Sequence, residues 1–248
     1  MSKQDWLYGI HSVSAILERH PDRVLEIFIQ DNREDDRVNG IIGLAKRNGL
    51  RAQFVPKKTL DHQLEEGAVH QGVAIRYRPS APQDEGDLKK IIEKAANSAF
   101  LLFLDGVTDP HNLGACLRSA DAAGVQAVVT TRDKSAGLSP AVRKVAVGAA
   151  ETVPFVQVTN LARTLELVRE MGVWVYGTAL SPTAKSLYDT DLRGNVGIVM
   201  GAEGTGLRRL TQECCDGLMY IPMAGTVQSL NVSVATGVCL FEALRQRS

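Results

Sequence analysis

One pattern constrains the fold more than any other: from Phe100 onward, short uninterrupted apolar runs alternate with segments of helical periodicity. Runs such as FLLFL and VGIVM do not show the apolar and polar alternation of half-buried strands. Strands that are apolar on both sides are typical of a parallel sheet covered by helices on both faces. The sequence therefore predicts an α/β fold, whose ligands bind at the carboxyl ends of the strands.

The composition changes near residue 79, which predicts a division of the chain. Residues 79–86 read PSAPQDEG, which is the composition of a linker. We expect a small α/β domain over residues 1–78, a linker over 79–98 and a larger domain over 99–248. In the small domain, HSVSAILERH and VNGIIGLAKRNGL predict helices, and VLEIFIQ, AQFVP and GVAIRYR predict strands.

Charge, cysteine usage and hydropathy limit where the protein works. Lys plus Arg and Asp plus Glu both number 28, so the net charge gives no indication of a nucleic-acid or membrane partner. The four cysteines form no C-x-x-C pair, which indicates a reduced chain. No apolar run approaches about 18 residues, and the start MSKQDWLYG lacks a charged leader followed by an apolar stretch. We expect a cytoplasmic protein with no membrane partner.

The first predicted strand runs into DGVTDPHNLGACLRSADAAG, residues 105–124. This segment predicts a turn followed by a helix that Asn112 could cap. Arg118 lies on that helix among small residues, so its long side chain can reach past its neighbours. An isolated helical arginine can equally be a surface residue that extends its charge into water.

A second segment, MGAEGTGL, places Glu203 among Gly201, Gly204 and Gly206. Glycines after a strand are typical of a nucleotide-binding turn, but a carboxylate repels phosphate and attracts cations, amines and hydroxyls. The loop therefore disfavours pyrophosphate. The absence of G-x-x-x-x-G-K-[ST] disfavours an ATPase as well.

A third segment, IPMAGTVQSLNVSVATG, covers residues 221–237. Ser229 and Asn231 precede the apolar face of the last predicted helix, where they are most simply capping residues. They could also point hydrogen-bond donors into a pocket walled by Leu230.

In this order, the three segments resemble the three motifs of the SpoU family of RNA ribose 2'-O-methyltransferases. YGIHSV, GAVHQGVA and CLFEALRQRS are similar to the bacterial members that methylate a guanosine ribose in the peptidyl-transferase loop of 23S rRNA. The resemblance implies a parallel-sheet domain with a deep trefoil knot, S-adenosylmethionine as cofactor and no metal. Another rRNA or a tRNA is the alternative substrate.

The resemblance also implies roles for individual residues. The cofactor-binding positions are Gly201, Ile221, Met223 and Leu230, with Thr178 as a weaker addition. The catalytic positions are Arg118, Asn112, Glu203, Ser229 and Asn231. Arginine holds its proton too tightly to be an efficient general base, so we favour a role for Arg118 in orienting the substrate and stabilising the alkoxide; a role as base stays open.

Recognition of 23S rRNA, free or within a ribosome precursor, falls to residues 1–78, which resemble a kink-turn-binding ribosomal protein. The clusters KRNGLR (46–51), PKK (56–58) and RYR (76–78) could contact phosphates, and Tyr77 could stack on an unpaired base. A solvated charged face is the alternative for each cluster. HQG at 70–72 indicates a turn rather than a catalytic histidine.

The last helix predicts an interface, because it carries a wide apolar stripe of Val234, Val238, Phe241 and Leu244 or Leu240. The resemblance implies a homodimer in which Arg118 of one chain and the cofactor loops of the other together form the active site. Two rival classes share parts of the pattern. A nicotinamide-dependent oxidoreductase would need the glycine fingerprint that the first strand lacks, and a non-catalytic RNA-binding module would not need the cofactor loops.

Overall fold

The computed structural model describes residues 5–33 and 35–248. The chain divides after Ala81 into two compact units. Within the described residues, no helix combines the length and apolar character needed to cross a membrane.

The first unit is a four-stranded sheet with helices on both faces. Its elements are β1 Asp5–Tyr8, α1 Ile10–Arg19, β2 Val24–Gln30, α2 Asp36–Arg47, β3 Ala52–Val55, α3 Lys57–Gln63 and β4 Val73–Tyr77. The sheet has the order β1-β4-β2-β3, in which β2 and β3 are parallel and the other pairs antiparallel. Ile27 and Ile29 of β2 face a core shared with the first two helices, whereas Phe28 faces Leu60 of the third.

The predicted linker is wrong over α4 (Glu85–Lys94), which forms a helix of the second unit. Asp84 caps this helix by accepting from the backbone N–H of Asp87, while the Asp87 side chain accepts from the N–H of Asp84. Leu88 and Ile92 are buried against the second sheet. The sequence did not predict this helix because its first turn is polar and two apolar side chains one turn apart are a weak periodic signal.

The second unit carries a seven-stranded sheet in which every pair is parallel, as the apolar runs predict. Leu102 and Leu104 face one helical layer, whereas Leu101 and Phe103 face the other. The elements are β5 Phe100–Asp105, α5 Pro110–Ala122, β6 Ala127–Thr131, α6 Pro140–Ala146, α7 Ala149–Thr152, β7 Phe155–Val158, α8 Leu161–Glu170, β8 Trp174–Thr178, β9 Lys185–Ser186, β10 Val196–Gly201, α9 Arg209–Glu213, β11 Gly217–Tyr220 and α10 Val232–Arg247.

The strand order β7-β6-β5-β10-β8-β11-β9 predicts where a ligand binds. The chain builds outward from β5 through β6 to β7, crosses to β8 and later inserts β10 between β5 and β8. The sheet therefore grows in opposite directions from β5 and β10, and ligands of such sheets bind outside the carboxyl ends of the strands at that switch. The trefoil knot stays a prediction.

Gly114 allows α5 to pack closely on α6. A Cβ at this position would lie 2.6 Å from the Cβ of Val145 and 2.9 Å from the carbonyl oxygen of Val142. We expect Gly114→Ala to lower the free energy of unfolding of the second unit by about 1–2 kcal/mol, because overpacking outweighs the gain in helix propensity. Denaturant unfolding measures this.

Gly237→Ala is the matched control, because its Cβ would meet only the Ser119 Oγ, at 3.7 Å. We expect this change to leave stability unchanged or raise it by up to about 1 kcal/mol. Equal stability of the two variants would contradict the close packing of α5 and α6.

Candidate active site

A pocket of about 710 Å³ lies at the carboxyl ends of β8, β10 and β11, on the β10 side of the switch between β5 and β10, and none of the described residues of β5 lines it. The loop after β10, the segment after β11 and the start of α10 form its walls. Its size is that of a small-molecule site. The apolar part of the lining consists of Met200, Ile221, Met223, Leu230, Val232 and Ala235, among others.

Glu203 is the only charged side chain among the described residues that line this pocket. None of the described lining residues is a lysine, arginine or histidine that could neutralise a phosphate. The lining therefore suits a cationic or neutral ligand and disfavours a dinucleotide, which carries a pyrophosphate.

Gly201 lets the loop after β10 fold back on the end of its own strand. A Cβ at Gly201 would lie 2.3 Å from the carbonyl carbon of Gly206 and 2.4 Å from the backbone nitrogen of Leu207. The Gly206 N–H donates to the carbonyl oxygen of Ala202 at 2.9 Å, which closes the loop. Only glycine fits at this position, so the loop that presents Glu203 depends on it.

Asn231 connects the loop after β10 to helix α5. Its Nδ2 donates to the Oδ1 of Asn112 at 2.9 Å and to the Oε1 of Glu203. Its Oδ1 accepts from the backbone N–H of Ser233 at 2.9 Å, so the same side chain caps α10. Asn231 therefore has both of the predicted positions. Its amide oxygen caps α10, and its amide nitrogen donates hydrogen bonds to Asn112 and Glu203 beside the pocket.

Most of the predicted site residues lie together. The four predicted cofactor-binding residues line the pocket, and so do Thr178, Glu203, Ser229 and Asn231. Asn112 reaches this group through Asn231 and is buried. The expectation that Asn112 caps α5 is wrong: the cap is Asp109, whose carboxylate accepts from the N–H of His111 at 3.0 Å, and Asn112 lies within the helix.

Arg118 is the predicted catalytic residue that this chain does not bring to the pocket. It lies six residues beyond Asn112 on α5 and is exposed. It is not part of the pocket lining and makes no hydrogen bond or ion pair with any described residue.

The pair of Asp105 and Arg208 is not among the site residues that the sequence predicts. The Asp105 side chain is fully buried at the end of β5, next to Gly201 of β10. Its Oδ2 accepts from the backbone N–H of Arg208 at 2.9 Å, and its Oδ1 lies 3.4 Å from the Nε of Arg208. The Asp105 carboxylate therefore holds in place the carboxy-terminal end of the loop that carries Glu203. The one indication of this pair in the sequence is an acidic residue at the end of an otherwise apolar strand.

In the first unit, the structure corrects the predicted RNA contacts. Tyr77 cannot stack on a base, because only 3% of it is exposed and it belongs to the core. Arg76 forms an ion pair with Glu26 at 2.7 Å, whereas Arg78 is exposed. The predicted turn at 70–72 is confirmed, since the Gly72 N–H donates to the Nδ1 of His70 at 3.0 Å.

The cysteines do not provide a nucleophile. Burial raises the pKa of Cys116 to about 11 and the pKa of Cys239 to about 12. Burial likewise raises the pKa of Cys215 to about 12, and burial together with the charge of Glu166 raises the pKa of Cys214. These thiols therefore stay protonated near neutral pH, and a protonated thiol is a poor nucleophile. Across residues 5–33 and 35–248, no three His, Cys, Asp or Glu side chains converge in a way that could hold a metal.

Comparisons with known proteins agree with this architecture. Residues 99–241 match the SpoU rRNA Methylase family, and residues 6–83 match the RNA 2'-O ribose methyltransferase substrate binding family. The chain is 53% identical over 247 residues to the 23S rRNA (guanosine-2'-O-)-methyltransferase RlmB of Shewanella oneidensis, covering 100% of this chain and 99% of the relative.

Two further relatives extend the comparison. The protein of the same description from Escherichia coli K12 is 53% identical over 244 residues, covering 98% of this chain and 99% of the relative. The SpoU methyltransferase AviRb from Streptomyces viridochromogenes, solved in complex with AdoMet, superimposes with a TM-score of 0.73 at 20% identity, covering 97% of this chain and 89% of that one, which shows the shared fold. The chain therefore belongs to the SpoU rRNA methylase family.

Proposed function

We propose that this protein transfers a methyl group from S-adenosylmethionine to the ribose 2'-oxygen of a guanosine in the peptidyl-transferase loop of 23S rRNA. The observation that carries the proposal is the pocket, in which one carboxylate, fixed by Asn231, is the only charged side chain among the lining residues that the structure describes. The relatives that match the whole chain and are named 23S rRNA (guanosine-2'-O-)-methyltransferases support the substrate.

The residues present fit S-adenosylmethionine. When bound, S-adenosylmethionine supplies a methyl group on a positively charged sulfur. It carries no phosphate. Apolar side chains such as Met223 and Leu230 would hold its uncharged parts, and Glu203 would complement its positive charge. Titration calorimetry tests this directly. We expect S-adenosylmethionine to bind and a nicotinamide dinucleotide not to bind; the reverse result would favour the oxidoreductase class.

The chain's own residues must align the acceptor and help the ribose hydroxyl lose its proton. Asn112, Asn231 and Glu203 form a linked polar group at the pocket, fixed in place by the cap of α10. Ser229, exposed on the pocket wall, can contact the acceptor. We assign Arg118 to the phosphate and ribose of the substrate, where a planar cation can stabilise the alkoxide.

The charge of Glu203 can be separated from its hydrogen bonds. Glu203→Gln keeps an oxygen that can accept from Asn231 but removes the charge from the pocket. We expect Glu203→Gln to weaken S-adenosylmethionine binding and Glu203→Ala to lower methyl transfer by about tenfold to a hundredfold, because a charge-assisted interaction is lost. Both variants should stay folded, since Glu203 is exposed.

Calorimetry and a methyl-transfer assay measure these effects, and Glu170→Gln at the exposed end of α8 is the matched control. Full turnover of Glu203→Ala would show that the loop after β10 does not act in the reaction.

A homodimer would bring Arg118 to the pocket. Val234 and Phe241 of α10 are 54% and 50% exposed, although α10 packs on α5 through its other side. The predicted stripe is narrower than expected, because Leu240 is buried and Val238 packs against the core of its own unit. Val234 and Phe241 lie two turns apart on one face, and exposed apolar side chains in this pattern are typical of a helix that contacts a second helix. A two-fold contact through this stripe would place Arg118 of one chain near the pocket of the other, as the resemblance implies.

We also propose that the protein works in the cytoplasm, where bacteria such as those of the matching relatives make ribosomal RNA, and acts on free 23S rRNA or on a ribosome precursor. A tRNA or another rRNA is the alternative acceptor, and the same transfer assay with each RNA distinguishes them.

A further inference from the structure

We infer that the edge strand β3 and its flanks bind single-stranded RNA, with an unpaired base stacked on Phe54. The inference rests on the proposed function, because it assigns the contact surface for the same RNA. It replaces the sequence prediction that Tyr77 provides the stacking surface. We call the surface the basic edge; its members are Lys46, Arg47, Arg51, Phe54, Lys57 and Lys58.

Charge is the first argument for the basic edge. Residues 46–58, KRNGLRAQFVPKK, contain five cationic side chains and no acid, in a chain of zero net charge. All five are exposed. Lys57 contacts Asp61 at 3.1 Å, whereas the other four make no ion pair within the part of the chain that the structure describes. A local excess of unpaired cations attracts a polyanion regardless of the net charge.

The second argument is the exposed aromatic ring. Phe54 is 61% exposed on β3, which has a neighbouring strand on one side only, β2. Along the chain, Lys46, Arg47 and Arg51 precede this strand, the first two in the last turn of α2, and Lys57 and Lys58 follow it at the start of α3. A ring between flanking cations is the arrangement by which proteins bind single strands, with bases on the ring and phosphates on the cations.

A simpler role for these charges would be protection of a sheet edge. Lysine and proline next to an edge strand prevent pairing with other chains. That role explains Pro56 and Lys57 but not Phe54, because an exposed aromatic ring makes an edge more prone to association. RNA binding accounts for the ring and the charges together.

The test uses the full-length protein and a 23S rRNA fragment that contains the peptidyl-transferase loop. We expect Phe54→Ala to raise the dissociation constant about tenfold or more, and Phe54→Tyr to restore it, because base stacking is lost and then regained. Val69→Ala, which truncates another exposed apolar side chain of the first unit, should have no effect.

Salt dependence tests the charges. The combined change Lys46→Gln, Arg47→Gln and Arg51→Gln should reduce the slope of log affinity against log salt by about 2 to 3, since each phosphate contact contributes about 0.7 to 0.9. The combined change Lys89→Gln, Lys90→Gln and Lys94→Gln on α4 removes the same number of positive charges and should leave the slope nearly unchanged.

If the wild-type protein methylates the fragment while Phe54→Ala binds it as tightly as wild type, the basic edge is not the RNA surface. The inference is then wrong, and the proposed function is unaffected. A protein-binding role for the edge would produce that same unchanged affinity. If the wild-type protein neither binds S-adenosylmethionine nor methylates any RNA, the proposed function itself fails.

Discussion

Gly201→Ala is expected to abolish S-adenosylmethionine binding and to lower methyl transfer at least about 100-fold, because a shift of the reacting groups by an ångström is enough for such a loss. The new Cβ would overlap backbone atoms of Gly206 and Leu207, at 2.3 and 2.4 Å. Backbone cannot move aside as the end of a flexible side chain can. The loop that holds Glu203 must therefore leave its position.

Gly225→Ala is the matched control for this change. Gly225 lies in the segment between β11 and α10, and a Cβ there would meet nothing within 4 Å. Calorimetry for the cofactor and a radiolabelled transfer assay should show near wild-type values for Gly225→Ala. If Gly201→Ala binds S-adenosylmethionine normally, the pocket beside Gly201 is not the cofactor site.

Mixing two inactive variants should restore activity if the active site is shared between subunits. Arg118→Ala removes the arginine, and Asn231→Ala removes the amide that holds Asn112 and Glu203. A heterodimer of the two contains one intact composite site and one doubly altered site. After full exchange of equal amounts, we expect about a quarter of wild-type activity, because half of the dimers are mixed and each has one working site.

A mixture of Asn231→Ala with Glu203→Ala provides the control, because both changes affect the same wall of the pocket. Every site in that mixture stays damaged, so activity should not exceed that of the separate variants. Recovery there, or no recovery with Arg118→Ala despite demonstrated exchange of subunits, would contradict the shared site. A monomer by sedimentation at the assay concentration would contradict it as well.

The sequence predicts the second unit well because its strands are buried on both faces. FLLFLD carries no polar residue before Asp105, and such runs have few alternatives to a parallel sheet. The pocket was equally predictable, since glycines, small polar residues and Glu203 follow the strand ends where ligands bind.

Other features could not be predicted because they depend on contacts between distant segments. Tyr77 and Phe54 both lie in short strands of the first unit, yet one is buried and the other exposed, and only the sheet order distinguishes a central strand from an edge strand. Asp105 meets Arg208 across about a hundred residues of chain, which spacing along the sequence does not reveal.

The most direct test of the proposed activity is to map ribose methylation on 23S rRNA after incubation with the purified protein and S-adenosylmethionine. The RNA comes from cells in which the gene has been deleted, and the product is analysed by nuclease digestion and mass spectrometry. We expect one new 2'-O-methylguanosine in the peptidyl-transferase loop, absent with Gly201→Ala. A methyl group on a base, or transfer to tRNA but not to 23S rRNA, would contradict the proposed activity.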